Sequence, residues 1–198
     1  MFILPAILEE DKNNLLLKIH ELTKYFTHIH MDLVTNHYKD LQGTLTIDDI
    51  IDSVKRFPNV KFDIHIMAPQ YDGKLINDDT VTYFNKIFIH IESKIEVDVR
   101  SYPNIIYAFD LYTNIFDYAP IIKSVDEILI MSVPSGKQGQ KFNIITYEKI
   151  RKITSINPEI QIYIDGGIDK DISKKLESYK NVKGIIVGSH ISDFINKT

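Results

Sequence analysis

The sequence predicts an α/β fold, specifically a (β/α)8 barrel formed as a single domain over residues 1–198. Three observations point there. Eight short apolar runs recur along the chain, each of strand length. Most are separated by segments with helical spacing, and strict strand–helix alternation implies a parallel sheet. Several of the runs also carry polar residues on one face only, which suits strands whose other face is covered by helices. The 198 residues suffice for one sizeable apolar core but lie at the bottom of the usual range for this barrel. Some helices must therefore be short. A doubly wound open sheet is the architectural alternative.

The strands are expected at Phe2 to Pro5, His28 to Leu33, Val60 to Met67, Ile87 to Ile91, Ile105 to Phe109, Ile128 to Val133, Ile160 to Ile164 and Gly184 to Val187. Asp11 to Lys24 reads as a helix because Leu15, Leu16, Ile19 and Leu22 form one stripe. Ile47 to Phe57, Tyr147 to Ile156 and Asp169 to Tyr179 show similar spacing. The segment after Glu92 looks compressed, and the one from Ser192 has almost no room for a helix.

Composition narrows the function classes. A net charge of −4 argues against nucleic acid, which calls for a basic face. The absence of cysteine excludes disulfides and thiolate metal sites and fits a reducing cytoplasm. Met1 to Leu8 is too short and lacks the basic leader of a signal peptide. No apolar run approaches the roughly 20 residues of a membrane helix. The expectation is a cytoplasmic protein with neither a nucleic-acid nor a membrane partner.

The chemistry is concentrated at strand ends. His28, His30 and Asp32 alternate with Ile29, Met31 and Leu33, and Asp63, His65 and Met67 alternate with Phe62, Ile64 and Ile66. Phe88, His90 and Glu92 alternate with Ile87, Ile89 and Ile91. If the apolar side meets the helices, the polar sets point inward, and their late members lie near the C-terminal mouth where barrel active sites sit. Buried imidazoles and carboxylates need compensation. A divalent cation supplies it, and histidine with aspartate suits zinc, iron(II), manganese or cobalt. A lone strand-end histidine is more often a hydrogen-bonded core residue; three consecutive strands with one pattern favour a shared site. Met67 and Met131, taken alone, read as core packing.

Two glycine motifs follow the last strands. Ile162 to Ile168 reads I-Y-I-D-G-G-I, and Ile185 to Ile191 reads I-I-V-G-S-H-I. Glycine lets backbone approach a ligand, and a following helix N-terminus would offer free N–H groups. Turns after strands seven and eight are the usual phosphate site of such a barrel. No P-loop or G-x-G-x-x-G is present, so a nucleotide is not the favoured ligand.

These motifs together resemble the ribulose-phosphate 3-epimerase family, from Pro5 to about Ile191. His30-Met31-Asp32 resembles its H-x-D, and His37-Tyr38 the His-Phe that follows. Asp63 to Met67 resembles its D-x-H-x-M, and His90-Ile91-Glu92 its H-x-E. Met131-Ser132-Val133 and Gly139 to Phe142 bracket its loop after strand six, while Asp165-Gly166-Gly167-Ile168 and Gly188-Ser189 match its last motifs. The resemblance implies a barrel of the ribulose-phosphate-binding type with one divalent metal ion, bound by His30, Asp32, His65 and Asp165. It implies Asp32 and Asp165 as the acid–base pair. Gly139, Gly166, Gly167, Gly188 and Ser189 would hold the phosphate, and Met67, Met131 and His90 would line the pocket.

The implied reaction is epimerisation at C3 of a ketose phosphate, D-ribulose 5-phosphate to D-xylulose 5-phosphate, through an enediolate. The expected partners are a small phosphorylated sugar and, as a homo-oligomer, further copies of the chain. The sequence also departs from the family. Ala6 replaces a serine, Val34 a methionine, Thr35-Asn36 an Asp-Gly, and Asp110-Leu111 an Asn-Pro. Pro134 to Gln140 rewrites the loop after strand six. Two alternatives follow: an epimerase of a hexulose 6-phosphate such as allulose 6-phosphate, or a sugar-phosphate-binding homologue without catalysis. The D-x-K-x-x-D of orotidine-decarboxylase-like enzymes is absent; its nearest spacing, Asp72-Gly73-Lys74, ends at Asn77.

Overall fold

A computed structural model describes residues 1–35, 37–41 and 43–195. Eight strands and six α-helices carry the fold: β1 (Phe2–Ile7), α1 (Lys12–Leu22), β2 (His28–Val34), α2 (Ile47–Val54), β3 (Lys61–Met67), α3 (Asp78–Tyr83), β4 (Lys86–His90), β5 (Ile105–Phe109), α4 (Ala119–Ser124), β6 (Glu127–Met131), α5 (Ile145–Ile156), β7 (Gln161–Asp165), α6 (Lys170–Leu176) and β8 (Val182–Val187). The strands close in chain order into a barrel, each beside its sequence neighbour and β8 beside β1. That excludes the doubly wound alternative. All eight expected strands are present, with ends shifted by two residues at most.

The chain packs as two compact units, Pro5–Ile106 and Tyr107–Thr198 together with Met1–Leu4. In the first unit, β2 and β3 pair in parallel over seven registered positions, including His30 with Asp63 and Asp32 with His65. Ile29, Met31, Leu33, Phe62, Ile64 and Ile66 are buried, and so are the alternating His30, Asp32, Asp63 and His65. Burial on both faces is the mark of a parallel strand. Helix α1 contributes Leu15 and Ile19, each at most 1% exposed, from the stripe its spacing predicts. It begins where Asp11 accepts from the N–H groups of Asn13 and Asn14, 3.0 Å each. Helix α2 begins with a reciprocal box between Thr46 and Asp49. Asn77 caps α3 by accepting from the Thr80 N–H at 2.9 Å.

The compressed segment after Glu92 contains no α-helix. It has a two-residue ladder, Gln70–Tyr71 beside Lys94–Ile95, and a 3-10 turn at Val99–Ser101. The ladder ties the outgoing chain of β3 to that of β4, and Ser93 Oγ reinforces it by donating to the Ala68 carbonyl at 2.6 Å.

In the second unit, β6 and β7 run in register from Glu127–Gln161 to Met131–Asp165. Its core is Ile128, Leu129, Ile130, Ile150, Ile153, Ile162, Ile164 and Ile185. Helix α6 starts on Asp169, which accepts from the N–H of Ile172 at 2.8 Å. A lysine interrupts the apolar face of α5: Lys149 is 5% exposed. Its ammonium donates to the carbonyls of Asp110 and Leu111 just past β5. Such partners are what keep a buried cation tolerable. Among the described residues after β8, a three-residue 3-10 turn, Ile191–Asp193, follows.

Candidate functional site

Strand geometry positions the first cluster. His30 and Asp32 lie two residues apart on β2, so they share a face. Register places His65 of β3 directly beside Asp32. His30 Nε2 and His65 Nδ1 each lie 3.4 Å from the same atom, Asp32 Oδ1. Both histidines are fully buried, and Asp32 is 9% exposed. The polar alternation therefore does bring His30, Asp32 and His65 together in one unit.

The electrostatics of the cluster favour the carboxylate form of Asp32. Burial by itself would raise the Asp32 carboxyl pKa, but interaction with His30 and His65 outweighs it and holds the group well below its ordinary 3.8. Neither ring nitrogen of His30 meets hydrogen-bond geometry with a described residue, and neither does Asp32 Oδ1. Native structures rarely leave such atoms unsatisfied. A divalent cation would meet Asp32 Oδ1 and one ring nitrogen of His30, so the donors present fit the ion the sequence implies.

Other members of the same polar faces serve different ends. His28 and Asp63 sit at the opening ends of their strands, with His28 Nε2 2.9 Å from Asp63 Oδ2. Asn85 donates to the other carboxylate oxygen at 2.8 Å. This pair fastens β2 and β3 to the start of β4, away from the late strand positions. His90 was expected to line the pocket. It is 1% exposed, and its ring contacts His65, with Nε2 to Nε2 at 3.0 Å. Met67 is 3% exposed, and its carbonyl accepts from the Thr35 N–H at 2.9 Å. Of the two residues standing in for the family's Asp-Gly, Asn36 lies outside the described residues. His37 carries a positive φ of 66°.

The remaining candidates belong to the second unit. Asp165 ends β7 beside Met131, and both are buried. The Asp165 carbonyl accepts from the N–H of Ser132 at 2.7 Å and from its hydroxyl at 2.8 Å. The same hydroxyl donates to the Gly166 carbonyl. Ser132 thus staples the end of β6 to the turn that follows Asp165. Sequence reasoning assigned Ser132 no role; its place directly after a strand, among apolar neighbours, was the available signal.

The glycines answer to close packing. Gly166 and Gly167 have φ of +112° and +62°, a region that side chains disfavour. A Cβ on Gly167 would lie 2.3 Å from the Phe142 nitrogen and 2.6 Å from the Gln140 oxygen. On Gly166 it would meet Val133 Cγ2 at 2.4 Å. Gly188 faces the Gln138 side chain at 3.3 Å. The loop after β6, 133–142, therefore packs against the turns after both β7 and β8. It is fixed internally by Gln140, whose amide donates to the carbonyls of Pro134 and Lys137. Gly139 (φ +75°) has open space around it. The helix expected after Gly188 is corrected: among the described residues a 3-10 turn, Ile191–Asp193, follows it. Backbone exposed by glycine, not an α-helix dipole, is what this turn offers.

The chain is similar to the ribulose-phosphate 3-epimerase of Buchnera aphidicola subsp. Baizongia pistaciae, at 28% identity over 85% of this chain and 78% of that protein. It is also similar to that of Helicobacter pylori strain 26695, at 23% identity over 96% and 90%. Among solved structures, 3-hexulose-6-phosphate synthase from Salmonella typhimurium superposes with TM-score 0.65 at 12% identity, covering 98% of this chain and 91% of that one. Orotidine 5'-phosphate decarboxylase from Pyrococcus horikoshii gives 0.63 at 13%, covering 97% and 91%. At such identities these two structures speak for the barrel alone. The family model described as the ribulose-phosphate 3 epimerase family matches residues 2–192, and the chain belongs to that family of isomerase-type enzymes.

Proposed function

We propose that the protein epimerises D-ribulose 5-phosphate to D-xylulose 5-phosphate with one divalent ion held by His30, Asp32, His65 and Asp165. The observation that carries the reading is the buried carboxylate of Asp32, kept ionised beside His30 and His65, with neither ring nitrogen of His30 in hydrogen-bond geometry with a described residue. Asp165 supplies the fourth donor of a set able to hold one ion. Zinc, iron(II), manganese and cobalt all suit such nitrogen and oxygen donors. A cation held there would supply Lewis-acid polarisation of the ketose oxygens next to the carbon that loses its proton.

The residues do the proton work. Asp32 enters as an ionised base, because its environment favours the carboxylate. Asp165 is its acid partner, and the roles exchange in the reverse direction; inversion requires one group for each face of the planar enediolate. Met67 and Met131 are uncharged and polarisable, suited to pack against that plane. Gly139, Gly166, Gly167, Gly188 and Ser189 present backbone and hydroxyl groups to the phosphate, a remote anchor whose binding energy orients the reacting carbon.

A six-carbon ketose phosphate is the second reading. Ala6 favours it, since it pairs in register with His30 where the family carries a serine hydroxyl. The deciding experiment is a coupled assay of purified, metal-loaded protein on ribulose 5-phosphate and allulose 6-phosphate. Turnover of the pentulose with the higher kcat/KM is expected. A preference for the hexulose selects the second reading, and no turnover of either, with the fold intact, rejects epimerisation.

A further inference from the structure

The buried His90 and the part-exposed Glu92 form a chain with His65. His65 Nδ1 faces Asp32 Oδ1 at 3.4 Å, while its Nε2 lies 3.0 Å from His90 Nε2. His90 Nδ1 then lies 3.3 Å from Glu92 Oε2. The two ring centroids are 4.9 Å apart, with planes 26° from parallel. With nitrogens at 3.0 Å, that separation means the rings meet end to end, the geometry of an N–H···N bond. Behind them, the Tyr71 hydroxyl accepts from the His90 N–H at 2.8 Å and donates to the Ile66 carbonyl at 2.7 Å. Tyr71 is fully buried, and burial raises its phenol pKa far above the usual value, so it remains a neutral clamp.

A single proton can lie between two neutral imidazole Nε2 atoms, and its owner is set by what the outer nitrogens do. A carboxylate only accepts. Glu92 therefore favours a proton on His90 Nδ1, which leaves His90 Nε2 as an acceptor. His65 must then carry its proton on Nε2, and its Nδ1 lone pair faces Asp32. The opposite polarity would place N–H on His65 Nδ1, where it would oppose a cation. Histidine alone does not choose the favourable order; an outer partner does.

We infer that Glu92, acting through His90, is a positioning residue that sets the tautomer of His65 and thereby the affinity of the metal site. The inference rests on the proposed metal reading and assigns His90 a role other than lining the pocket. Nothing in it requires Glu92 to touch substrate.

The test uses purified full-length protein labelled with 15N-histidine, with tautomers read in the metal-free state above the imidazole titration range, because bound zinc would itself fix His65 as Nε2–H. Wild type is expected to show Nδ1–H at His90 and Nε2–H at His65. In Glu92→Ala, His90 is expected to shift toward Nε2–H, and zinc affinity measured against a competing chelator to fall about 10–100-fold. Glu92→Gln, whose amide oxygen still accepts, should restore both readouts to within a few-fold of wild type. Circular dichroism shows that the variants are folded. Nε2–H at His90 in wild type, or undiminished zinc affinity in folded Glu92→Ala, overturns the inference and leaves the metal reading standing. Failure of wild type to bind zinc, iron(II), manganese or cobalt overturns both.

Discussion

The two units of the chain divide the chemistry by residue type. Of seven histidines, six (positions 20, 28, 30, 37, 65 and 90) lie within 5–106 and only His190 lies beyond. Of eight glycines, six (136, 139, 166, 167, 184 and 188) lie within 107–198. The first unit works with side chains held on strands, where pairing and burial fix donor atoms to within fractions of an ångström. The second works with backbone in turns, where removing Cβ atoms lets three loops approach one another. Cation binding needs directed lone pairs, whereas phosphate binding needs N–H groups and space. Substitutions should therefore fail differently at strand side chains and at glycine turns: by losing a chemical group at the former, Asp165 of the second unit included, and by losing a conformation at the latter.

The largest expected effect is on the proton carriers. Asp32→Asn and Asp165→Asn should each lower kcat at least about 10²–10⁴-fold while circular dichroism remains native. Near wild-type turnover by either variant removes that residue from the acid–base pair. Gly167→Ala tests the conformational side. The positive φ and the 2.3 Å approach to Phe142 should cost about 1–3 kcal/mol, read as a fall in Tm of about 2–4 °C per kcal/mol, together with a raised KM. An unchanged Tm would mean that the turn relaxes freely.

The pH dependence of stability separates the units again. The folded-state pKa of Asp32 is depressed, so its contribution is present above 3.8 and lost as pH falls below it toward the folded value. Acid titration of metal-free protein should show this loss, and Asp32→Asn should flatten it. The smallest effect is expected at Gly188→Ala. Its φ is unstrained and its nearest neighbour is the flexible Gln138 side chain. Tm should hold within about 0.5 kcal/mol equivalent while KM rises if the turn binds phosphate. A change in neither would take Gly188 out of the phosphate site.

The sequence by itself determined the strands, because alternation of Ile, Val and Phe with polar residues is a local signal that burial on two faces makes sharp. It also determined that His30 and Asp32 share a face, since a period of two leaves no choice once a strand is granted, while His65 on the next strand waited on register. Short elements escaped it. Helices α3 and α4, six residues each, are too brief for periodicity and form where tertiary packing covers them. Contacts between distant segments were decided only by the tertiary structure. Register had to be known before His28 could be assigned to Asp63, or His90 to His65. The packing of loop 133–142 had to be known before Gly166 and Gly167 acquired a steric reason. Lys149 reads as a polar residue on a helix until the fold brings the carbonyls after β5 to its ammonium. Hydrogen-bond partners are properties of neighbouring strands and loops, and no local pattern in one strand encodes what stands beside it.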